Sequence, residues 1–238
     1  MLYRAAYQLQ SRSRVIHLRP RYSFVAFALR HASTSSGEAS ARPNRPPVPL
    51  SREQRDTLDS FLRVDQAGEL AATLIYAQQT PPMLQSHPHL RSLMQHMYSQ
   101  EAGHFRTFNH LLAHRRVRPT IMYPIWTAAA STLGWATGLM GREAAMACTE
   151  AVETEIGQHY NGQVRVLLQW MREAEDRGED VGAEMKELVE TLKRIRDEEL
   201  EHLDEAVGEG AKDAKPYQLL NRVIRSGCKG AIWISERV

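Results

Sequence analysis

MKELVETLKRIRDEELEHLDEA, residues 185–206, decides the fold. Met185, Leu188, Leu192 and Ile195 recur three or four residues apart, the spacing that puts side chains on one face of an α-helix, and Glu199, His202 and Ala206 continue the same stripe. A carboxylate and an imidazole therefore stand where a helix turns its apolar face to a core. Burying a lone carboxylate is costly unless it is paired or bound to a metal.

Three further segments carry the same anomaly. The stripes are Leu58, Leu62, Asp65, Glu69, Ala72, Tyr76; Leu90, Met94, Met97, Glu101, His104, Phe108; and Met146, Thr149, Glu153, Ile156, Tyr160, Val164, Leu167. Each of the four helices thus presents a core glutamate. Two of these, Glu101 and Glu199, are followed at i+3 by His104 and His202, whereas Glu69 and Glu153 stand alone. Four buried carboxylates would repel one another. Two divalent cations would neutralise them, and two neutral imidazoles would complete the ligand set. One Glu from each of two helices plus Glu-x-x-His from each of the other two is the pattern of dinuclear iron and manganese bundles. The spacing predicts an all-α, ferritin-like four-helix di-iron bundle with Glu69, Glu101, His104, Glu153, Glu199 and His202 as metal ligands.

An internal repeat supports that choice. Glu69 is followed by Tyr76 and Gln79 at i+7 and i+10, and Glu153 by Tyr160 and Gln163 at the same offsets, so two copies of one helical hairpin are expected. The repeat selects Glu153 over Glu150 and Glu155, and Glu199 over Glu198. For Glu198 and Asp197, an outer partnership with a ligand and a solvated charge both remain open. His87, His96, His110 and His114 fall outside the pattern and read as surface or structural residues. Carboxylate and imidazole without thiolate suit iron or manganese, iron being the choice for oxygen chemistry.

Pro and Gly punctuate the helices. The first opens at Ser51, with Gln54 completing a capping box, and is expected to stop at Pro81-Pro82. The others are expected over about His89–Arg116, Arg142–Arg177 and Ala183–Gly208, with an extra C-terminal helix from Pro216 to Ile234. Between Arg118 and Arg142 lie 23 uncharged residues, PTIMYPIWTAAASTLGWATGLMG, long enough on paper to cross a bilayer. A crossing would put Glu101/His104 and Glu153 on opposite sides with no second span to bring the chain back. Pro119, Pro124 and three glycines interrupt the run, and Trp126 and Trp135 suit a headgroup boundary, so an apolar interfacial crossover is expected; a buried crossover within the bundle is the alternative.

The chain has 238 residues, 42% hydrophobic and 24% charged, enough for one sizeable core and unlike a disordered or collagen-like sequence. Residues 1–37 hold six Arg, no Lys and no acid, the composition of a mitochondrial transit peptide, with a basic tail as the plainer alternative. Residues 38–50, with Ala39, Ser40, Ala41, Pro43, Pro46, Pro47 and Pro49, form a Pro/Ser-containing linker, and 51–238 the functional domain. Without the six Arg charges the formal net charge of +2 becomes −4, which argues against nucleic acid as a partner. Two cysteines, Cys148 and Cys228, make no disulfide framework.

RVDQAGELAATLIYAQQ (63–79), RVRPT (116–120), GREAAMACTEAVE (141–153), RDEELEHLDEA (196–206) and AIWISER (231–237) together resemble the demethoxyubiquinone hydroxylases of coenzyme Q biosynthesis over roughly residues 55–238. The six ligands inferred from spacing fall within the matching motifs. Leu70 departs from the aromatic common after Gly-Glu. The resemblance implies a di-iron monooxygenase that uses O2 to hydroxylate the ring of a polyprenylated demethoxyquinone, on the matrix side of the mitochondrial inner membrane as a peripheral protein. It also implies NADH as reductant, a lipid-binding partner and other proteins of the same biosynthetic complex, and a place near the quinone pocket for His159 and Tyr160. The rival readings are ferritin-like iron storage or ferroxidase activity, which leaves the apolar crossover unexplained, and a non-catalytic lipid-binding bundle.

Overall fold

The computed structural model describes residues 47–238; the expected transit peptide and residues 38–46 of the linker lie outside the described residues. Six α-helices follow one another: α1 Arg52–Ser86, α2 Arg91–Arg115, α3 Tyr123–Leu139, α4 Arg142–Asp176, α5 Ala183–Gly208 and α6 Tyr217–Ser235. No strand occurs among the described residues. Helices α1, α2, α4 and α5 form the four-helix bundle as two hairpins, α1–α2 and α4–α5, while α3 lies along α1 and α6 along α4. The ferritin-like arrangement expected from the stripes is the one observed, and almost every stripe residue is buried, Ile156 being only partly so.

Local chemistry fixes the helix ends. The Gln54 amide donates to Ser51 Oγ at 3.1 Å and the Ser51 amide to Gln54 Oε1 at 2.9 Å, completing the expected capping box. At the far end α1 does not stop at Pro81-Pro82 but runs through both to Ser86. Each proline removes one backbone donor, yet Met83 beyond them is fully buried with Leu90, Met94 and Met146, and that packing carries the helix over the break.

The uncharged crossover is neither a span nor a strand of the bundle interior. No described helix is long and apolar enough to cross a membrane. Instead α3 presses one face, Ala130, Gly134, Thr137 and Gly138, onto the outside of α1 and leaves Ile125, Trp135 and Leu139 exposed on the other. The approach is close enough to require glycine: a Cβ on Gly134 would lie 2.5 Å from the Ile75 carbonyl oxygen, and one on Gly138 2.9 Å from Gln79 Cα. Trp126, expected at a headgroup boundary, is half-buried and donates from Nε1 to Ser235 Oγ of α6 at 3.0 Å.

Two apolar clusters close the bundle lengthwise. One gathers Leu58, Leu62, Phe108, Leu167, Leu192 and Ile195; the other gathers Met83, Leu90, Met94, Met97, Met146 and Ala206. The core glutamates and histidines lie between them in sequence on every bundle helix, so the polar cluster occupies the middle of a dry core.

Candidate functional site

Glu69 on α1, Glu101 and His104 on α2, and Glu199 on α5 bring one ligand atom each within 4.8 Å of one another, and so do Glu101, Glu153 on α4, Glu199 and His202. Glu101 and Glu199 belong to both sets. Each set has a carboxylate of its own and a histidine of its own, so the two hairpins contribute equivalently, as the internal repeat requires. The six residues named from spacing are all brought together and all buried.

The atoms at the centre have no hydrogen-bond partner outside the cluster itself: Glu69 Oε2, both oxygens of Glu101, Glu153 Oε2, both oxygens of Glu199, and Nδ1 of His104 and of His202. Buried polar groups in native proteins are nearly always satisfied, so eight converging orphan atoms form a donor set suited to cations. His104 Nδ1 lies 2.9 Å from Glu199 Oε1 and 3.3 Å from Glu69 Oε2; His202 Nδ1 lies 2.9 Å from Glu101 Oε1 and 3.3 Å from Glu199 Oε2. With no thiolate among them, these donors fit iron or manganese better than structural zinc.

Outer contacts hold the set in place and cross between hairpins. Tyr76 of α1 donates its hydroxyl to Glu153 Oε1 of α4 at 3.0 Å, and Tyr160 of α4 donates to Glu69 Oε1 of α1. The His104 Nε2 atom is 2.5 Å from Glu198 Oε2, and Glu198 in turn takes both its oxygens to Arg194 at 2.9 Å. His202 Nε2 lies 3.0 Å from Gln100 Oε1. The residue before each shared glutamate thus braces the histidine of the opposite hairpin. That pairing resolves the two open residues: Glu198 serves His104, whereas the exposed Asp197 pairs only with its neighbour Arg196. Gln100 carries the same signal in the sequence, preceding Glu101 as Glu198 precedes Glu199.

Their partners also separate Glu150, Glu153 and Glu155, the three buried acids of α4. Glu150 and Glu155 are buried but paired from outside, Glu150 with Lys212 and with the Tyr217 hydroxyl, which donates to it at 2.8 Å, and Glu155 with Arg225 at 2.5 Å. Only Glu153 keeps an orphan oxygen. Of the histidines outside the pattern, His96, His110 and His114 are exposed and His87 is half-buried.

Charge balance within the protein falls to protons. Burial and then the neighbouring carboxylates push Glu101 and Glu153 well above the usual carboxylate range, and Glu69 moves the same way. Burial acts on Glu199 too, but the flanking imidazoles of His104 and His202 outweigh it and hold the group down to about 2. His104 goes up to about 12 in spite of burial, through Glu199 and Glu69. A cluster that must retain protons and imidazolium ions to stay neutral is one that divalent cations would replace.

Beside the cluster lies a cavity of about 400 Å³ between α1, α3, α4 and α6. Glu69, Tyr160 and His159 line it at the metal-ligand end, Val223 and Ala231 of α6 and Ala129 of α3 elsewhere. His159 and Tyr160, which the resemblance puts near a quinone pocket, both line this cavity. Burial takes His159 down to about 4, leaving a neutral imidazole. Spacing puts Asp65 in the α1 stripe and Gln163 in the repeat but does not show that Asp65 lines a cavity, and it gives no sign of the α6 wall, because a cavity wall carries no periodic mark beyond ordinary amphipathicity.

Fold and site together define a class, the four-helix bundles of the ferritin-like kind that carry a carboxylate and imidazole cluster able to take two metal ions. Within it, the chain belongs to the ubiquinone biosynthesis protein COQ7 family, whose family model matches residues 56–235. It is 43% identical over 217 residues to the 5-demethoxyubiquinone hydroxylase, mitochondrial, of Saccharomyces cerevisiae, covering 90% of this chain and 93% of the relative. It is 41% identical over 188 residues to the NADPH-dependent 3-demethoxyubiquinone 3-hydroxylase, mitochondrial, of Rattus norvegicus, covering 79% and 81%. To the 3-demethoxyubiquinol 3-hydroxylase of Rhodospirillum rubrum it is 41% identical over 181 residues, covering 76% and 78%.

Proposed function

We propose that this protein hydroxylates the ring of a polyprenylated demethoxyquinone with O2, at two iron ions held by Glu69, Glu101, His104, Glu153, Glu199 and His202. The observation that carries the reading is the apolar cavity lined by Glu69 and Tyr160, which gives a lipid-soluble ring access to the metal-binding cluster. The family and the names of the relatives support the same reaction.

The conversion is C–H + O2 + two electrons + two protons → C–OH + H2O. A bound iron pair would supply O2 activation and the two-electron chemistry. The chain's own residues do the rest. Glu101 and Glu199, common to both ligand sets, would serve both ions, and Glu69 and Glu153 one ion each. Tyr160 and Tyr76 steady Glu69 and Glu153 through one oxygen and leave the other free for metal. Glu198 and Gln100 fix the tilt of the two imidazoles, so that Nδ1 faces inward. Apolar clusters at both ends of the bundle exclude water from the reacting centre.

Localisation follows from the same features. Relatives are named mitochondrial, and the Arg-rich, acid-free N-terminal segment is suited to import. The exposed apolar faces of α3 and α6 flank the cavity and suit a peripheral seat on the matrix side of the inner membrane. The reductant is a nicotinamide dinucleotide: NADH by the resemblance, while the rat relative's name specifies NADPH. A lipid-presenting protein and other members of a coenzyme Q biosynthetic complex are the expected partners. Iron storage would leave the apolar cavity without a use.

Anaerobic loading with ferrous iron, followed by a short-tailed demethoxyquinone, reductant and ¹⁸O2, tests the reading. Mass spectrometry should find one labelled oxygen on the ring, dependent on Glu199. Unlabelled or unchanged quinone from fully iron-loaded protein would overturn it.

A further inference from the structure

A cluster of polar groups in the cavity wall is not used by the metal-binding set. Asp65 precedes Glu69 by one turn of α1, lines the cavity and is buried to 3% exposure. Its Oδ1 accepts a hydrogen bond from Gln163 Nε2 at 2.7 Å, and the same amide nitrogen lies 2.8 Å from His159 Nε2. The Oδ2 atom is buried and has no partner. Gln163 is therefore a clamp: its two amide hydrogens serve Asp65 on one side and His159 on the other, and the second carboxyl oxygen is left over.

The surroundings say what that oxygen is for. Of the other polar groups of the wall, the Tyr160 hydroxyl goes to Glu69, the Trp126 indole N–H meets the Ser235 hydroxyl and His159 Nε2 meets the Gln163 amide. The rest is apolar, with Ala71, Ile75, Leu133, Val152, Ile156 and Ile224 among it. A ligand matching this space has a large apolar part and one or two hydrogen-bonding oxygens at its compact end. Burial, opposed by the Gln163 hydrogen bond and aided by the charge of Glu69, pushes Asp65 well above the usual carboxylate range, and a buried carboxyl with one oxygen unpartnered in an apolar wall favours its neutral form. Because Oδ1 already accepts from an amide, the acid proton belongs on Oδ2, and a buried neutral carboxylic acid of this kind is a hydrogen-bond donor.

We propose that Asp65, braced by Gln163, donates a hydrogen bond from Oδ2 to a ring oxygen of the quinone and so fixes which ring carbon faces the metal-binding cluster. The inference rests on the hydroxylase reading above and adds the residue that orients the ring. Asp65 is a binding residue in this role; Gln163 and His159 act through it.

The probe is a demethoxyquinone with a short isoprenoid tail and ¹³C-labelled ring carbonyls, added to the iron-loaded full chain. Infrared difference spectra of the wild-type complex should show one carbonyl band shifted down from its position in an apolar solvent. Asp65→Leu should restore the apolar-solvent position, weaken quinone binding roughly 10–100-fold and spread hydroxylation over more than one ring carbon, with iron content unchanged. Asp65→Asn keeps a donor and should stay within a few-fold of wild type. An unshifted carbonyl in the wild-type complex overturns the proposal without recourse to any variant, as does wild-type affinity and band position in Asp65→Leu. If wild-type protein binds no quinone at all, the hydroxylase reading itself fails, an outcome distinct from both.

Discussion

Glu198 and Gln100 occupy equivalent places in the two halves, yet one is charged and the other is not. Each meets Nε2 of the histidine across the bundle, at 2.5 Å and 3.0 Å, and only Glu198 is itself held by an arginine. Removing an outer partner of a ligating histidine typically costs roughly 10–100-fold in metal affinity. Glu198→Ala should therefore weaken one of two ferrous ions by about that factor while the other stays near its original affinity, as anaerobic titration would measure; equal loss at both sites would refute the assignment. Protons give a second expectation. Burial and the neighbouring carboxylates raise Glu101 and Glu153, and Glu199 and Glu69 raise His104 to about 12 in spite of burial, so protons compete with cations for these atoms and ligation requires them to leave. Lowering the pH adds competitor, so iron affinity should fall from about pH 8 to about pH 6, with protons released into a weakly buffered solution on loading. Affinity independent of pH would contradict the picture. The six clustered residues are legible because Glu-x-x-His spacing marks four of them and the i+7 tyrosines mark Glu69 and Glu153. Asp65 shares their stripe but has no such offset, and whether Glu198 or Asp197 reaches His104 depends on how two hairpins superpose, which no spacing within one helix encodes.

At the scale of the element, α3 is the part of the fold the sequence describes least well. Its composition fits a span, an interfacial run or a buried crossover; what decides is the contact of two glycines with the α1 backbone. Proline likewise reads as a stop at 81–82, and only the burial of Met83 beyond it shows why α1 continues. Gly134→Ala tests the role of the close approach. The added Cβ would meet the Ile75 carbonyl oxygen at 2.5 Å and its Cα at 2.8 Å, both backbone atoms that cannot swing aside, so α3 must lift from α1. Overpacking of this kind costs about 1–3 kcal/mol. The melting temperature should fall, and quinone affinity with it, because Ala130 and Leu133 of the same helix form part of the cavity wall. Gly162→Ala is the matched comparison: this exposed position in α4 has nothing within 4 Å of a new Cβ, so alanine should stabilise by about 0.5–1 kcal/mol through helix propensity. Equal effects at the two glycines would mean that α3 is not held by close packing.

For the whole molecule, the distribution of exposed apolar side chains ties the site to its surroundings. Ile125, Trp135 and Leu139 on α3 and Leu219, Val223 and Trp233 on α6 are all more than half exposed, and these are the two helices that wall the cavity outside the bundle. Helix α6 is held by Ile224, buried in one cluster with Ile75, Cys148 and Val152, and by Arg225 and Lys229 paired to the buried Glu155 of α4, while Leu219, Val223 and Trp233 stay outward. Exposed apolar surface concentrated on two neighbouring elements marks an interaction face, and here the cavity it borders suits a lipid with a long tail. Carboxylates at two exposed positions away from the cavity lining, Trp135→Glu with Leu219→Glu, should abolish flotation with phosphatidylcholine–cardiolipin vesicles. Because neither residue contacts the cluster or the cavity, iron content and turnover of a short-tailed, water-soluble quinone should persist. Turnover of a long-tailed quinone embedded in vesicles should fall by an order of magnitude or more, since the substrate is then reached only from the membrane. If the double variant floats as before, the face meets another protein instead; if it fails on both quinones alike, the two positions support the site rather than access to it.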